Sequence, residues 1–92
     1  MANVVVTLKI MPESPEVDFS SIQNKAEKEI KKFAGNTETK TELEPIAFGL
    51  KALKITFVMD ENKGSTEPLE QQIKTISGVN SVEAIDVRRA IG

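Results

Sequence analysis

The order of apolar patterns along this chain predicts an α+β protein, in which a four-stranded antiparallel sheet carries two helices on one face. Three observations predict it. Period-two alternation rich in β-branched residues occurs twice, at 3–11 and 51–59. Two helical apolar stripes lie between extended runs, and each is followed by a glycine, Gly35 and Gly78. Two further extended segments, 37–47 and 80–89, have little to bury and suit the edges of a sheet. The resulting order is β-α-β-β-α-β.

In the first strand Val4, Val6, Leu8 and Ile10 share one face, and Val5, Thr7, Lys9 and Met11 the other. That second face is only moderately polar, which fits an interior strand. Pro12 and Pro15 then end it and set a loop. Asp18 reads as the N-cap of the first helix, with Val17 and Ile22 placed as a hydrophobic staple. Phe19, Ile22, Ala26, Ile30 and Phe33 form its apolar stripe, and Gly35-Asn36 stops it. Its lysines and glutamates fall largely outside the stripe. They read as a solvated face with Glu27–Lys31 at i,i+4, the alternative being contact with an acidic partner.

Residues 37–47 alternate threonines with charges and contain Pro45, which cannot donate to a ladder; both facts place this strand at an edge. In 51–59 Leu53, Ile55, Phe57 and Met59 share a face directed at the helices, opposite Ala52, Lys54, Thr56 and Val58. Asp60-Glu61-Asn62-Lys63-Gly64 reads as a polar turn, since a calcium loop needs a longer run of oxygen ligands. Ser65 or Thr66 caps the second helix, with Glu67 and Pro68 in its first turn and Leu69, Ile73 and Ile76 as its stripe. In the last strand Val82 is out of phase with Ile85 and Val87, which a bulge or an edge position explains. Two right-handed crossovers joined by a hairpin give a ferredoxin-like sandwich, strand order 4-1-3-2, with residues 1–92 as one domain.

The composition excludes much chemistry. The 92 residues include no cysteine and no histidine, so thiolate catalysis, an ordinary zinc site and the commonest neutral-pH general base are all missing. The serines have no histidine partner, and the scattered glycines form no phosphate loop. No enzyme activity, cofactor or metal is expected. With 12 basic and 14 acidic residues intermixed, net charge is −2, and no basic patch for nucleic acid is announced. RNA-recognition modules of this fold stack bases on aromatics of the central strands; here the first has none and Phe57 faces the helices. No apolar run is long enough to span a bilayer and no targeting pattern opens the chain, so a cytoplasmic protein is expected.

What remains is a binding module, and one stretch is unusual. Glu44-Pro45-Ile46-Ala47-Phe48-Gly49-Leu50-Lys51 joins two strands through a corner that holds an aromatic ring, which a bare hairpin does not need. The ring either plugs the core or is offered to a partner. The stripes and interior strands already supply a core without it, which favours display.

The run Pro45-Ile46-Ala47-Phe48-Gly49-Leu50-Lys51-Ala52-Leu53-Lys54-Ile55 resembles the signature of the guanine-nucleotide-exchange domain of translation elongation factor 1-beta: proline, apolar, small, aromatic, glycine, aliphatic, lysine, any, leucine, any, aliphatic. The similarity continues through Val58-Met59-Asp60-Glu61, Leu69-Glu70-Gln71-Gln72-Ile73 and Val82 to Asp86-Val87, while the first half matches only in pattern and length. The ending Asp-Val-Arg-Arg-Ala-Ile-Gly is similar to the archaeal form of that family. The resemblance implies a partner, elongation factor 1-alpha in its GDP-bound and nucleotide-free forms, whose GDP would be released without any bond change. Beside the resemblance, the expectation from topology is a two-point contact, with partner-binding residues Phe48, Gly49, Leu50 and Lys51 on one domain of the GTPase and the Arg88–Gly92 tail near its nucleotide site. Eukaryotic members carry a lysine near the C-terminus, thought to disturb the magnesium and phosphate side of the pocket; counting from Asp86, that position here is Gly92. Arg88 and Arg89 are the cations that could replace it by charge, the bland alternative being a solvated strand end. The topology puts the Phe48 corner and the C-terminus at opposite ends of the sheet, roughly 25 Å apart for strands of this length. A monomer when free is expected, with no direct nucleic-acid or membrane partner. A small-molecule-binding regulatory domain is the alternative reading of the same fold.

Overall fold

The computed structural model describes residues 3–35 and 37–90; Asn36, expected with Gly35 to stop the first helix, and Gly92, the position of the missing lysine, lie outside the described residues. The elements are β1 (Asn3–Pro12), α1 (Phe19–Ala34), β2 (Thr39–Pro45), β3 (Lys51–Asp60), a 3-10 turn (Glu61–Lys63), α2 (Glu67–Lys74) and β4 (Val79–Ala90). The sheet runs β2-β3-β1-β4 with every neighbouring pair antiparallel, the ferredoxin-like order expected, read from the other edge.

Strand position follows from what each strand can bury. β1 and β3 pair in continuous register from Asn3↔Asp60 to Ile10↔Leu53, and their alternate residues Val6, Leu8, Ile10, Leu53, Ile55, Phe57 and Met59 are buried. Against that face Ile22, Ala26 and Ile30 of α1 and Leu69 and Ile73 of α2 complete one core, with Phe19 and Phe33 packed at its margin. On the open face Ala52 is also buried, and Thr7 and Thr56 share a hydroxyl hydrogen bond of 3.0 Å in the middle of the sheet. β2, with Pro45 at its end, lies at one edge as its composition demands.

The phase break in β4 is a bulge. Thr7 pairs with Asp86 but Leu8 pairs with Ala84, leaving Ile85 as the extra residue. Val82 and Ala84 therefore pack toward the core on one side of the bulge, and Val87 comes opposite Val6 on the other. A second irregularity lets β1 continue to Pro12, one residue beyond the expected stop, where Pro12 is buried opposite Val79.

The helix ends are built largely as expected. The Asp18 carboxylate accepts from the Ser21 N–H at 3.2 Å, a regular N-cap bond, and the Gly35 N–H closes α1 on the Lys31 carbonyl at 3.0 Å with φ 89°. Val17 and Ile22 meet beside Gly78, where an added Cβ would come within 3.3 Å of Ile22 Cδ1. Three details differ. Glu27 does not pair with Lys31; it accepts from Gln23 Nε2 at 3.3 Å and from Thr39 Oγ1 at 3.2 Å, because β2 brings a hydroxyl to its helix face. At the second helix Thr66 is the N-cap residue, as one of the two alternatives had it, but its hydroxyl makes no capping bond and donates to Glu70 at 2.6 Å, while the Ser65 hydroxyl accepts from the Glu67 N–H at 3.1 Å. α2 ends at Lys74, so Ile76 joins the core from the turn after the helix, its N–H still bonded to the Ile73 carbonyl at 3.0 Å.

These pairings set the ends of the molecule. The β2–β3 hairpin closes one end of the sheet, whereas Asp60, Asn3 and Ala90 come together at the other. β3 alone spans ten residues between them, about 30 Å at ordinary strand rise. Among the described residues no helix is long and apolar enough to cross a membrane.

Candidate partner-binding site

The hairpin corner is a tight turn with two bonds across it. Ile46 N–H donates to the Leu50 carbonyl at 2.8 Å, and Leu50 N–H to the Ala47 carbonyl at 3.1 Å. The two central residues have positive φ, 60° at Phe48 and 76° at Gly49, the condition for the primed turn that matches the twist of antiparallel strands. Gly49 adopts that backbone without penalty. Phe48 does not: among the described non-glycine residues only Phe48 has positive φ, and a bulky L-residue held there costs about 1–3 kcal/mol. Nothing in the core repays it, since the ring is 95% exposed. The ring is displayed and does not plug the fold.

Phe48 does not stand alone. Ile46 (38% exposed) precedes it in the turn, Leu43 (46% exposed) lies further back on β2, and Lys51 is exposed where β3 begins. Leu50 is half-buried and anchors the corner. Ile46 was inside the matched stretch, but nothing in its type distinguishes an exposed isoleucine from a buried one. Leu43 pairs in register with buried Leu53 but lies on the edge strand, where its side chain stays exposed.

Behind the corner, on the open face, Glu44 and Lys54 form an ion pair across β2 and β3. The hydrogen bond from Lys54, reinforced by its charge, holds the Glu44 carboxyl below its ordinary value of 4.5. The same bond, partly offset by desolvation, raises Lys54 above 10.5. The signs follow directly. The depressed carboxyl contributes stability that is complete above 4.5 and lost as pH falls through its folded value; the raised lysine contributes stability complete below 10.5 and lost as pH rises beyond it. Both groups are accessible to water, so screening keeps the effect small. Glu44→Gln should flatten the acid limb of Tm against pH and leave the neutral plateau nearly unchanged.

At the opposite end Arg88 and Arg89 leave β4 on opposite faces, paired in register with Val5 and Val4. Arg88 Nε lies 3.0 Å from Asp86 Oδ2 on its own strand. Arg89 Nη2 lies 2.7 Å from Glu61 Oε2 in the 3-10 turn. Val87, 59% exposed, adds apolar surface beside them. The structure thus keeps Phe48, Gly49, Leu50 and Lys51 together at one end and Arg88 and Arg89 together at the other, and does not bring the two groups into contact. Among the described residues no group of three or more acidic side chains is placed to hold a metal ion. Two surface depressions among the described residues, one between α1 and α2 lined by Phe33 and Leu69 and one at the start of α1 beside Gly78, involve neither end group.

The chain is thus a small α+β sandwich with an exposed, strained aromatic at one end and two arginines at the other. Residues 5–90 match the family described as the EF-1 guanine nucleotide exchange domain. The chain is 42% identical over 89 residues to a protein of Methanothermobacter thermautotrophicus, covering 97% of this chain and 98% of the relative. It is 45% identical to one of Methanobrevibacter smithii over the same shares, and 40% identical to one of Staphylothermus marinus over 90 residues, again 97% and 98%. Each of the three is called elongation factor 1-beta. The chain belongs to the EF-1 guanine nucleotide exchange domain family. It is a guanine-nucleotide exchange factor of translation elongation that acts with elongation factor 1-alpha.

Proposed function

We propose that the chain performs this exchange by a two-ended grip: Phe48, Gly49, Leu50 and Lys51 dock on one part of elongation factor 1-alpha while Arg88 and Arg89 approach its nucleotide site. The observation that carries the reading is Phe48, a ring 95% exposed on a backbone with φ 60°. Strain of that kind persists where function needs the side chain in one place. The arginines supply the positive charge at the far end that Gly92 cannot.

No covalent bond forms or breaks in this scheme. The chain binds the nucleotide-free GTPase more tightly than the GDP-bound form, and by linkage the same free-energy difference weakens GDP. A hundredfold faster release requires about 2.7 kcal/mol of contact energy expressed only as GDP leaves. The free chain acts as a cytosolic monomer and does not contact nucleic acid, consistent with its intermixed charges and net charge of −2.

The test is release of a fluorescent GDP analogue from elongation factor 1-alpha with and without the chain. Acceleration that saturates with chain concentration supports the proposal. An unchanged rate at concentrations where the complex is shown to form would overturn it.

A further inference from the structure

The matched segment Val58-Met59-Asp60-Glu61 contains two carboxylates that neither end of the grip employs. The structure gives each a distinct task. Asp60 Oδ1 accepts from the Asn62 N–H at 2.9 Å, and the Gly64 N–H returns to the Glu61 carbonyl at 3.3 Å, so the 3-10 turn is closed by its own bonds. Glu61 is then aimed out of that turn at Arg89, 2.7 Å away and 28 residues further along the chain. The contact crosses β1, since β3 and β4 are not neighbours, and so spans two inter-strand spacings, roughly 9–10 Å.

This ion pair is too exposed to contribute much to the fold. Its effect is on the conformation of one side chain. A free arginine at a strand end samples many rotamers, and a partner must order it on binding. Glu61 orders it beforehand. It occupies one edge of the guanidinium through Nη2, and an arginine has five N–H donors, so Arg89 keeps donors for a second, anionic acceptor such as a carboxylate or phosphate oxygen. Arg88 lacks such support: its partner Asp86 sits two residues away on the same strand and moves with it.

We propose that Glu61 is a positioning residue for exchange, holding Arg89 in the orientation in which it meets an anionic group of the GTPase. The proposal rests on the two-ended reading above. Arg89, unlike Arg88, is thereby the arginine whose contribution depends on a carboxylate from another element.

The experiment measures GDP-analogue release from elongation factor 1-alpha over a series of chain concentrations, for the natural chain, Glu61→Gln, Glu61→Asp, Arg89→Ala and Glu61→Gln combined with Arg89→Ala. Glu61→Gln should lower the plateau rate about three- to tenfold and shift the half-saturating concentration by less than about twofold, because the loss concerns orientation in the nucleotide-releasing state. Glu61→Asp should recover part of the plateau. The Glu61→Gln loss should vanish when Arg89 is already alanine, and Tm should stay within a degree or two throughout, as for other exposed pairs. A Glu61→Gln plateau equal to that of the natural chain overturns the proposal. So does a loss that persists in full without Arg89. If instead the natural chain fails to accelerate release, the exchange reading itself fails; if only Arg89→Ala is silent, the assignment of Arg89 fails.

Discussion

Phe48→Ala is expected to weaken association with elongation factor 1-alpha by about 10–100-fold, the cost of truncating an aromatic anchor that buries its ring in a partner. The ring has nothing to lose inside this chain, so the change leaves the core intact. Release kinetics should show the half-saturating concentration rising by that factor while the plateau rate stays near its original value. A second substitution separates binding from backbone strain. Asparagine tolerates positive φ, so Phe48→Asn should stabilise the free chain by about 1 kcal/mol, roughly 4–8 °C in Tm, while binding as weakly as the alanine variant. A variant that gains stability as it loses partner affinity would identify Phe48 as a residue whose strain is offset only in the complex. If Phe48→Ala bound normally, the exposed ring would have no role in the contact.

The second large effect belongs to the arginines. Replacing both, Arg88→Gln and Arg89→Gln, is expected to lower the plateau of GDP release about 10–100-fold and to move the half-saturating concentration less than about threefold. Substitution is a cleaner test than shortening the chain. Arg88, Arg89 and Ala90 pair with Val5, Val4 and Asn3, so ending the chain at Val87 would also strip the last rungs from β1. Loss of plateau with binding preserved assigns the C-terminal end to the release step. Loss of binding with the plateau preserved would assign both ends to docking and contradict the division of labour.

The fold was legible because its strongest signals are local. β1 and β3 alternate cleanly since both are interior, and Pro45 with the threonine-charge alternation marks β2 as an edge. Even the bulge at Ile85 was visible as a broken phase around Val82, although its partners in β1 were not. What failed to show were contacts that join distant segments. The i,i+4 rule pairs Glu27 with Lys31, but Thr39 arrives from β2 and competes successfully. Glu61 and Arg89 meet only once the β3-β1-β4 register exists. α2 stops at Lys74 although its apolar stripe continues to Ile76, because a turn can deliver an isoleucine to the core as well as a helix can. The Phe48 corner stood between these cases. Its residues marked a turn, and the spare ring was evident, but whether it faced inward depended on a positive φ that no local preference of phenylalanine suggests.

The two ends lie about 30 Å apart along the sheet, and the proposed grip has them reach different surfaces of the GTPase. The most direct test places a photoreactive benzoyl-phenylalanine at Phe48 in one variant and at Arg89 in another. Each is crosslinked to nucleotide-free elongation factor 1-alpha, and the attachment points are mapped by mass spectrometry. The two-ended grip predicts separate sites on the GTPase, with the Arg89 variant attaching beside the nucleotide pocket and the Phe48 variant attaching away from it. Attachment of both at one site, or of the Phe48 variant beside the pocket, would contradict it.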